Sequence, residues 1–136
     1  MVFDNYLALD IGEKRIGLAI GSFIPFSRGV LPGENIEQAL DQLKSLVQEE
    51  GITAFVVGLP VVKSGDKTEN YQRAETWVAR LEETFHLPVY TVDEAYTSTQ
   101  AEQQLRDAGV DTAKEKGKID EQSAILILEQ FFREQS

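Results

Sequence analysis

The chain has 136 residues, a formal net charge of −10 and no cysteine. The missing cysteine excludes disulfides and thiolate metal sites, and a single histidine, His86, excludes any site that needs two. No apolar run is long enough to span a bilayer, and "MVFDNY" lacks the basic-then-apolar order of a signal peptide, so a single cytoplasmic domain over 1–136, with no membrane partner, is expected.

In chain order, Tyr6 to Asp10 reads as a strand, "GEKR" as a turn, and Ile16 to Ser22 as a second strand, giving a hairpin. Arg28 to Leu31 fits a short third strand, and "PGEN" marks a break. From Glu34 to Glu50, Ile36, Ala39, Leu40, Leu43, Leu46 and Val47 recur at offsets of three and four, which makes one helix face. Gly51 stops that helix. "ITAFVVGLP", Ile52 to Pro60, is β-branched and apolar without alternation, as expected of a strand covered on both faces. "VVKSGDKTEN" reads as a loop, followed by a helix with Tyr71, Ala74, Trp77, Val78, Leu81 and Phe85 on its buried side. His86, at the end of that helix, reads as a surface or capping residue. "LPVYTV" is a strand running into Asp93 and Glu94, and Thr97 with Gln100 fits the capping box of a third helix. "DAGVDTAKEKGK" reads as a polar loop, and a last helix begins near Asp120, with Ala124, Ile127, Leu128 and Phe131 on one stripe. Helices between strands imply parallel pairing by right-handed crossovers, so the expected class is α/β with an antiparallel hairpin on one side.

The net charge opposes nucleic-acid binding if it is spread evenly. It is not spread evenly along the chain. Eight of the thirteen Lys and Arg residues fall in three segments: Lys14 and Arg15; Lys63, Lys67 and Arg73; and Lys114, Lys116 and Lys118. All three belong beside one edge of the expected sheet, where they are either solvated loop cations or phosphate contacts.

Ligands of open parallel sheets bind beyond the carboxyl ends of the strands. Strand one ends at Asp10, the central strand at Gly58-Leu59-Pro60, and the next at Asp93-Glu94. A last helix starting at that edge adds Asp120. Converging carboxylates repel and raise each other's pKa. A divalent cation with oxygen ligands, Mg²⁺ or Mn²⁺, removes the conflict, and such ions support phosphodiester hydrolysis without histidine or cysteine. Each acid has a plainer role too. Asp10 fits a turn cap, Asp120 a helix N-cap, and only one of Asp93 and Glu94 can face the site, because adjacent strand residues point to opposite faces.

"LALDIGEKRIGLAIG", "VVGLP", "VDEAYTST" and "KGKIDEQSA", in that order, resemble the motifs of the YqgF family, from about Leu7 to Phe132. These are bacterial RNase H-like proteins described as pre-16S rRNA nucleases and Holliday junction resolvase homologues. The resemblance implies an RNase H-like fold and a divalent-metal nuclease site, with Mg²⁺ or Mn²⁺ held by Asp10, Glu94 and Asp120. It places Lys14 and Arg15 in the family's "KRIG" and Lys116 and Lys118 in its "KGK", as contacts to backbone phosphates. Three positions depart from the pattern. Ala95 stands where the family usually has arginine, Tyr96 replaces a leucine, and "VVKSGD" replaces a "-DG-" turn.

The expected function is cleavage of structured RNA, in processing of the 16S rRNA precursor and in association with the ribosome. The alternatives are a resolvase of branched DNA, which needs two active sites on a symmetric dimer, and an RNA-binding factor with little or no catalysis. An actin-like nucleotide site, suggested by "D-x-G-x-K-x-x-G", would need a second domain to close over ATP. The sequence leaves the oligomeric state open.

Overall fold

The computed structural model describes residues 3–94 and 97–135, with only the backbone of residues 97 and 98. Its elements are β1 (Tyr6–Ile11), β2 (Arg15–Gly21), β3 (Phe26–Pro32), α1 (Ile36–Glu50), β4 (Ala54–Pro60), α2 (Glu69–Phe85), β5 (Val89–Glu94), α3 (Thr97–Asp107) and α4 (Lys116–Glu134). The strands form one sheet in the order β3-β2-β1-β4-β5. β1 pairs antiparallel with β2, and β2 with β3; β1 pairs parallel with β4, and β4 with β5. The mixed α/β sheet with an N-terminal hairpin is therefore as expected, and the third strand is a full seven residues rather than a fragment.

Helix boundaries follow their local chemistry. α1 starts where the Asn35 side chain accepts from the backbone N–H of Gln38, and ends where Gly51 adopts φ 64° and returns its N–H to the Val47 carbonyl. α2 is capped by Thr68, which accepts from Tyr71, so it opens two residues before the first apolar position. At its other end His86 takes the same left-handed position as Gly51, φ 56°, and donates its N–H to the Glu82 carbonyl. The lone histidine is thus a C-cap through its backbone.

The largest departure from expectation is at α4, which begins at Lys116. The turn before it is closed by Glu115 N–H donating to the Asp111 carbonyl. Gly117 does not prevent this early start, because the first turn of a helix has no internal N–H bonds to lose. Two expectations are corrected. Lys116 and Lys118 stand on the first turn of a helix, not on a loop. Asp120 is the fifth helical residue, not an N-cap, and the actual N-cap, Glu115, makes no side-chain capping bond.

The two faces of the sheet carry different cores. Leu7, Leu9, Ile11, Phe55 and Val57 pack beneath α1 and α2 with Leu40, Leu43, Trp77 and Leu81. The other face is built of smaller residues, Ala8, Ala19, Val56 and Val92, under Ala124, Ile127, Leu128 and Phe131 of α4. Small side chains let a helix backbone approach a sheet closely, and that approach positions the site.

Candidate active site

Side chains alternate across a strand. With Ala8, Val56 and Val92 under α4, the residues two further on in each strand also face α4: Asp10 on β1, Gly58 on β4 and Glu94 on β5. These positions lie near the carboxyl ends of three parallel strands. Glu94 pairs with Pro60, and Gly58 with Val92. Gly58 is one step past the Leu9–Val57 rung, and so lies beside Asp10. Asp93 faces the opposite way and is exposed, whereas Glu94 is only 8 % exposed. The structure thereby resolves a choice that spacing left open.

Asp120 arrives from above. Its residue lies over Gly17, the β2 partner of Asp10. A Cβ added at Gly17 would stand 2.0 Å from the Asp120 carbonyl oxygen and 2.3 Å from its carbon. Glycine here admits the backbone of α4. Gly58 has a matching role. A Cβ there would meet Ile127 Cδ1 at 2.6 Å and the Glu94 carboxyl at 3.0 Å. Neither requirement was visible from the motifs, although "KRIG" and "VVGLP" contain both glycines.

Asp10 feels this assembly. Its carboxyl is pushed up from the usual carboxylate range to about 8, first by burial and then by the charges of Glu94 and Asp120. It takes part in no hydrogen bond of the β1–β2 turn among the described residues; that turn is closed by Gly12 N–H donating to the Arg15 carbonyl at 3.0 Å. Asp10 is therefore not the turn cap.

One cation has already entered the cluster. Arg15 Nε donates to Asp120 Oδ2 at 2.7 Å, with the arginine side chain 41 % exposed and the aspartate 18 %. Asp120 is thus paired with Arg15, and among the described residues no group of three acids stands ready to hold an ion. The donor set is nevertheless all carboxylate oxygen, the chemistry of Mg²⁺ or Mn²⁺. Lys14 lies on the adjoining turn. Lys116 and Lys118 sit on the first turn of α4, with Lys118 3.4 Å from Glu115. Cations at a helix N-terminus oppose the macrodipole, so they add to its positive end and do not stabilise the helix. Lys63, Lys67 and Arg73 follow the carboxyl end of β4. Ala95 and Tyr96 lie outside the described residues.

Residues 4–134 match the RuvX family, described as a Holliday junction resolvase. A protein of Chloroflexus aurantiacus named "Putative pre-16S rRNA nuclease" is 38% identical over 128 residues, covering 92% of this chain and 84% of that one. One of the same name from Oleidesulfovibrio alaskensis is 34% identical over 130 residues, covering 93% and 90%. The chain belongs to the RuvX (YqgF) family. As a RuvX-family protein it is a hydrolase of phosphodiester bonds, a nuclease, and its substrate is nucleic acid. The fold is the RNase H-like fold of RuvC. The Thermus thermophilus RuvC structure in complex with a Holliday junction aligns with a TM-score of 0.61 over 96% of this chain and 95% of that one, at 14% identity. No helix among the described residues is long and apolar enough to cross a membrane.

Proposed function

We propose that this RuvX-family chain is a divalent-metal-dependent nuclease that cuts structured RNA in processing of the 16S rRNA precursor, with Asp10, Glu94 and Asp120 as its metal ligands. The observation that carries the metal site is Asp10, whose burial, with the charges of Glu94 and Asp120 near it, raises its pKa and is costly without a cation. The relatives' names carry the choice of RNA. When bound, Mg²⁺ or Mn²⁺ supplies Lewis-acid polarisation of the phosphodiester and stabilises the leaving oxygen.

The chain's own residues do the rest. Glu94 brings a buried carboxyl beside Gly58, on the side of the site away from β2. Arg15 reaches Asp120 with its Nε, leaving the outer nitrogens of the guanidinium for a phosphate. Lys14, Lys116 and Lys118 hold neighbouring phosphates, contacts that position the strand without reading its sequence. Replacing Arg15 with Gln is expected to weaken RNA binding several-fold and to lower the salt slope of log K by about one. Filter binding across a KCl series reads both. An unchanged slope would confine Arg15 to holding Asp120.

A second reading, a resolvase of four-way DNA junctions, is favoured by the family description and by the RuvC likeness of the fold. Matched precursor-rRNA and four-way-junction substrates, each with Mg²⁺ and with Mn²⁺, separate the two. RNA cleavage with the junction left intact is expected. The reverse result, from a dimer in light scattering, would establish the resolvase. RNA binding that survives EDTA, with neither substrate cut, would reduce the chain to a binding factor.

A further inference from the structure

Ser123 is fully buried, and its hydroxyl has no hydrogen-bond partner among the described residues. A buried hydroxyl without a partner is costly, because it has given up water for nothing. Alanine would fill the same space in a helix with better intrinsic propensity. Serine at this point therefore needs a reason, and its location supplies one.

α4 crosses the carboxyl-edge rank of the sheet. Asp120 lies over Gly17 on β2, and Ile127, seven residues on, lies over Gly58 on β4 beside the Glu94 carboxyl. β1 runs between those two strands and carries Asp10 at the same rank. Ser123 is midway between Asp120 and Ile127 along α4, so it stands above β1 near Asp10. The flank of the helix is fixed by Gln130. Two turns beyond Ser123 and so on the same face, Gln130 donates to the Asp93 carbonyl at 2.8 Å, at the carboxyl end of β5. Ala124 and Leu128, on the other flank, pack into the apolar core over Ala8 and Val56. Ser123 thus stands on the Gln130 flank of α4, at the rank of Asp10, and not on the Ala124–Leu128 flank that packs into the core.

We infer that Ser123 is a positioning residue of the acid cluster, its hydroxyl hydrogen-bonding to a carboxylate or a water of the cation-loaded site. This rests on the metal-site reading of Asp10, Glu94 and Asp120. Groups that orient metal ligands in this way typically change metal affinity by tenfold or more when removed. They act on the ligands rather than on the fold.

Isothermal calorimetry with Mn²⁺ alone, on wild type, Ser123→Ala and Asp10→Asn, tests the inference, with melting temperatures in EDTA alongside. Wild type is expected to bind, Asp10→Asn not to bind, and Ser123→Ala to bind about tenfold more weakly. The melting temperature of Ser123→Ala is expected to be unchanged or raised. Equal Mn²⁺ affinity in wild type and Ser123→Ala would overturn the role while leaving the metal site standing. Weaker binding with a lowered melting temperature would make Ser123 a packing residue and overturn it as well. A wild type that binds no Mn²⁺ would remove the metal site itself, and the inference with it.

Discussion

Asp10→Asn is expected to abolish metal-dependent cleavage, by on the order of 10³-fold or more, while making the metal-free protein more stable. Both effects have one cause. Folding buries the Asp10 carboxyl beside Glu94 and Asp120 and raises its pKa from 3.8 to about 8. The folded metal-free chain therefore binds a proton that the unfolded chain has lost between those values. The proton's stabilising contribution is fully present below about pH 4 and is lost as pH rises through about 8. Asparagine is neutral throughout, so its advantage grows over the same interval. In EDTA, scanning calorimetry is expected to place Asp10→Asn about 5 °C above wild type at pH 8, with the gap shrinking toward pH 5. A gap that does not depend on pH would mean that folding does not raise the Asp10 pKa. Retained cleavage in pure variant protein would remove Asp10 from the ligand set. A gain in stability with loss of activity is what a strained functional site produces, and a merely structural aspartate would show the opposite.

Gly17→Ala is the second large effect, and it separates the site from the fold. The added methyl meets the Asp120 carbonyl at 2.0 Å and its Cα at 3.0 Å, all backbone atoms that cannot rotate away. α4 must lift from β2, at a cost of about 3 kcal/mol or a fall of about 10 °C in Tm. The lift also carries Asp120 away from Asp10, so Mn²⁺ affinity is expected to fall with stability. Gly117→Ala is the control. A methyl there meets only Val30 Cγ2 at 3.6 Å, an ordinary contact on a helical residue, and is expected to be neutral or slightly stabilising. If both glycines tolerate alanine equally, the close passage of α4 over β2 is wrong.

The amino-acid sequence by itself determined the element types, the hairpin and the parallel crossovers, because hydrophobic period and turn chemistry are local signals. Leu40 and Leu43 at helical spacing, or the unbroken "AFVVG" of β4, need no partner to be recognised. The motifs also carried the family and, through it, the proposal that Asp10, Glu94 and Asp120 hold a metal. Boundaries were less legible where local and tertiary preferences compete. Aspartate is a good N-cap, so the sequence points to a start of α4 near Asp120, yet the helix runs back to Lys116 through Gly117.

What only the tertiary structure decided is how the acids meet. That Glu94, and not Asp93, faces Asp10 depends on which face of β5 lies under α4. That Gly17 and Gly58 are clearances for a helix backbone and a carboxylate depends on where α4 crosses the sheet. That Arg15 engages Asp120, 105 residues away, depends on both. Each is a contact between segments distant in the chain. Such contacts leave no periodicity in the sequence, because the constraint acts through space on a backbone that the local residues do not see.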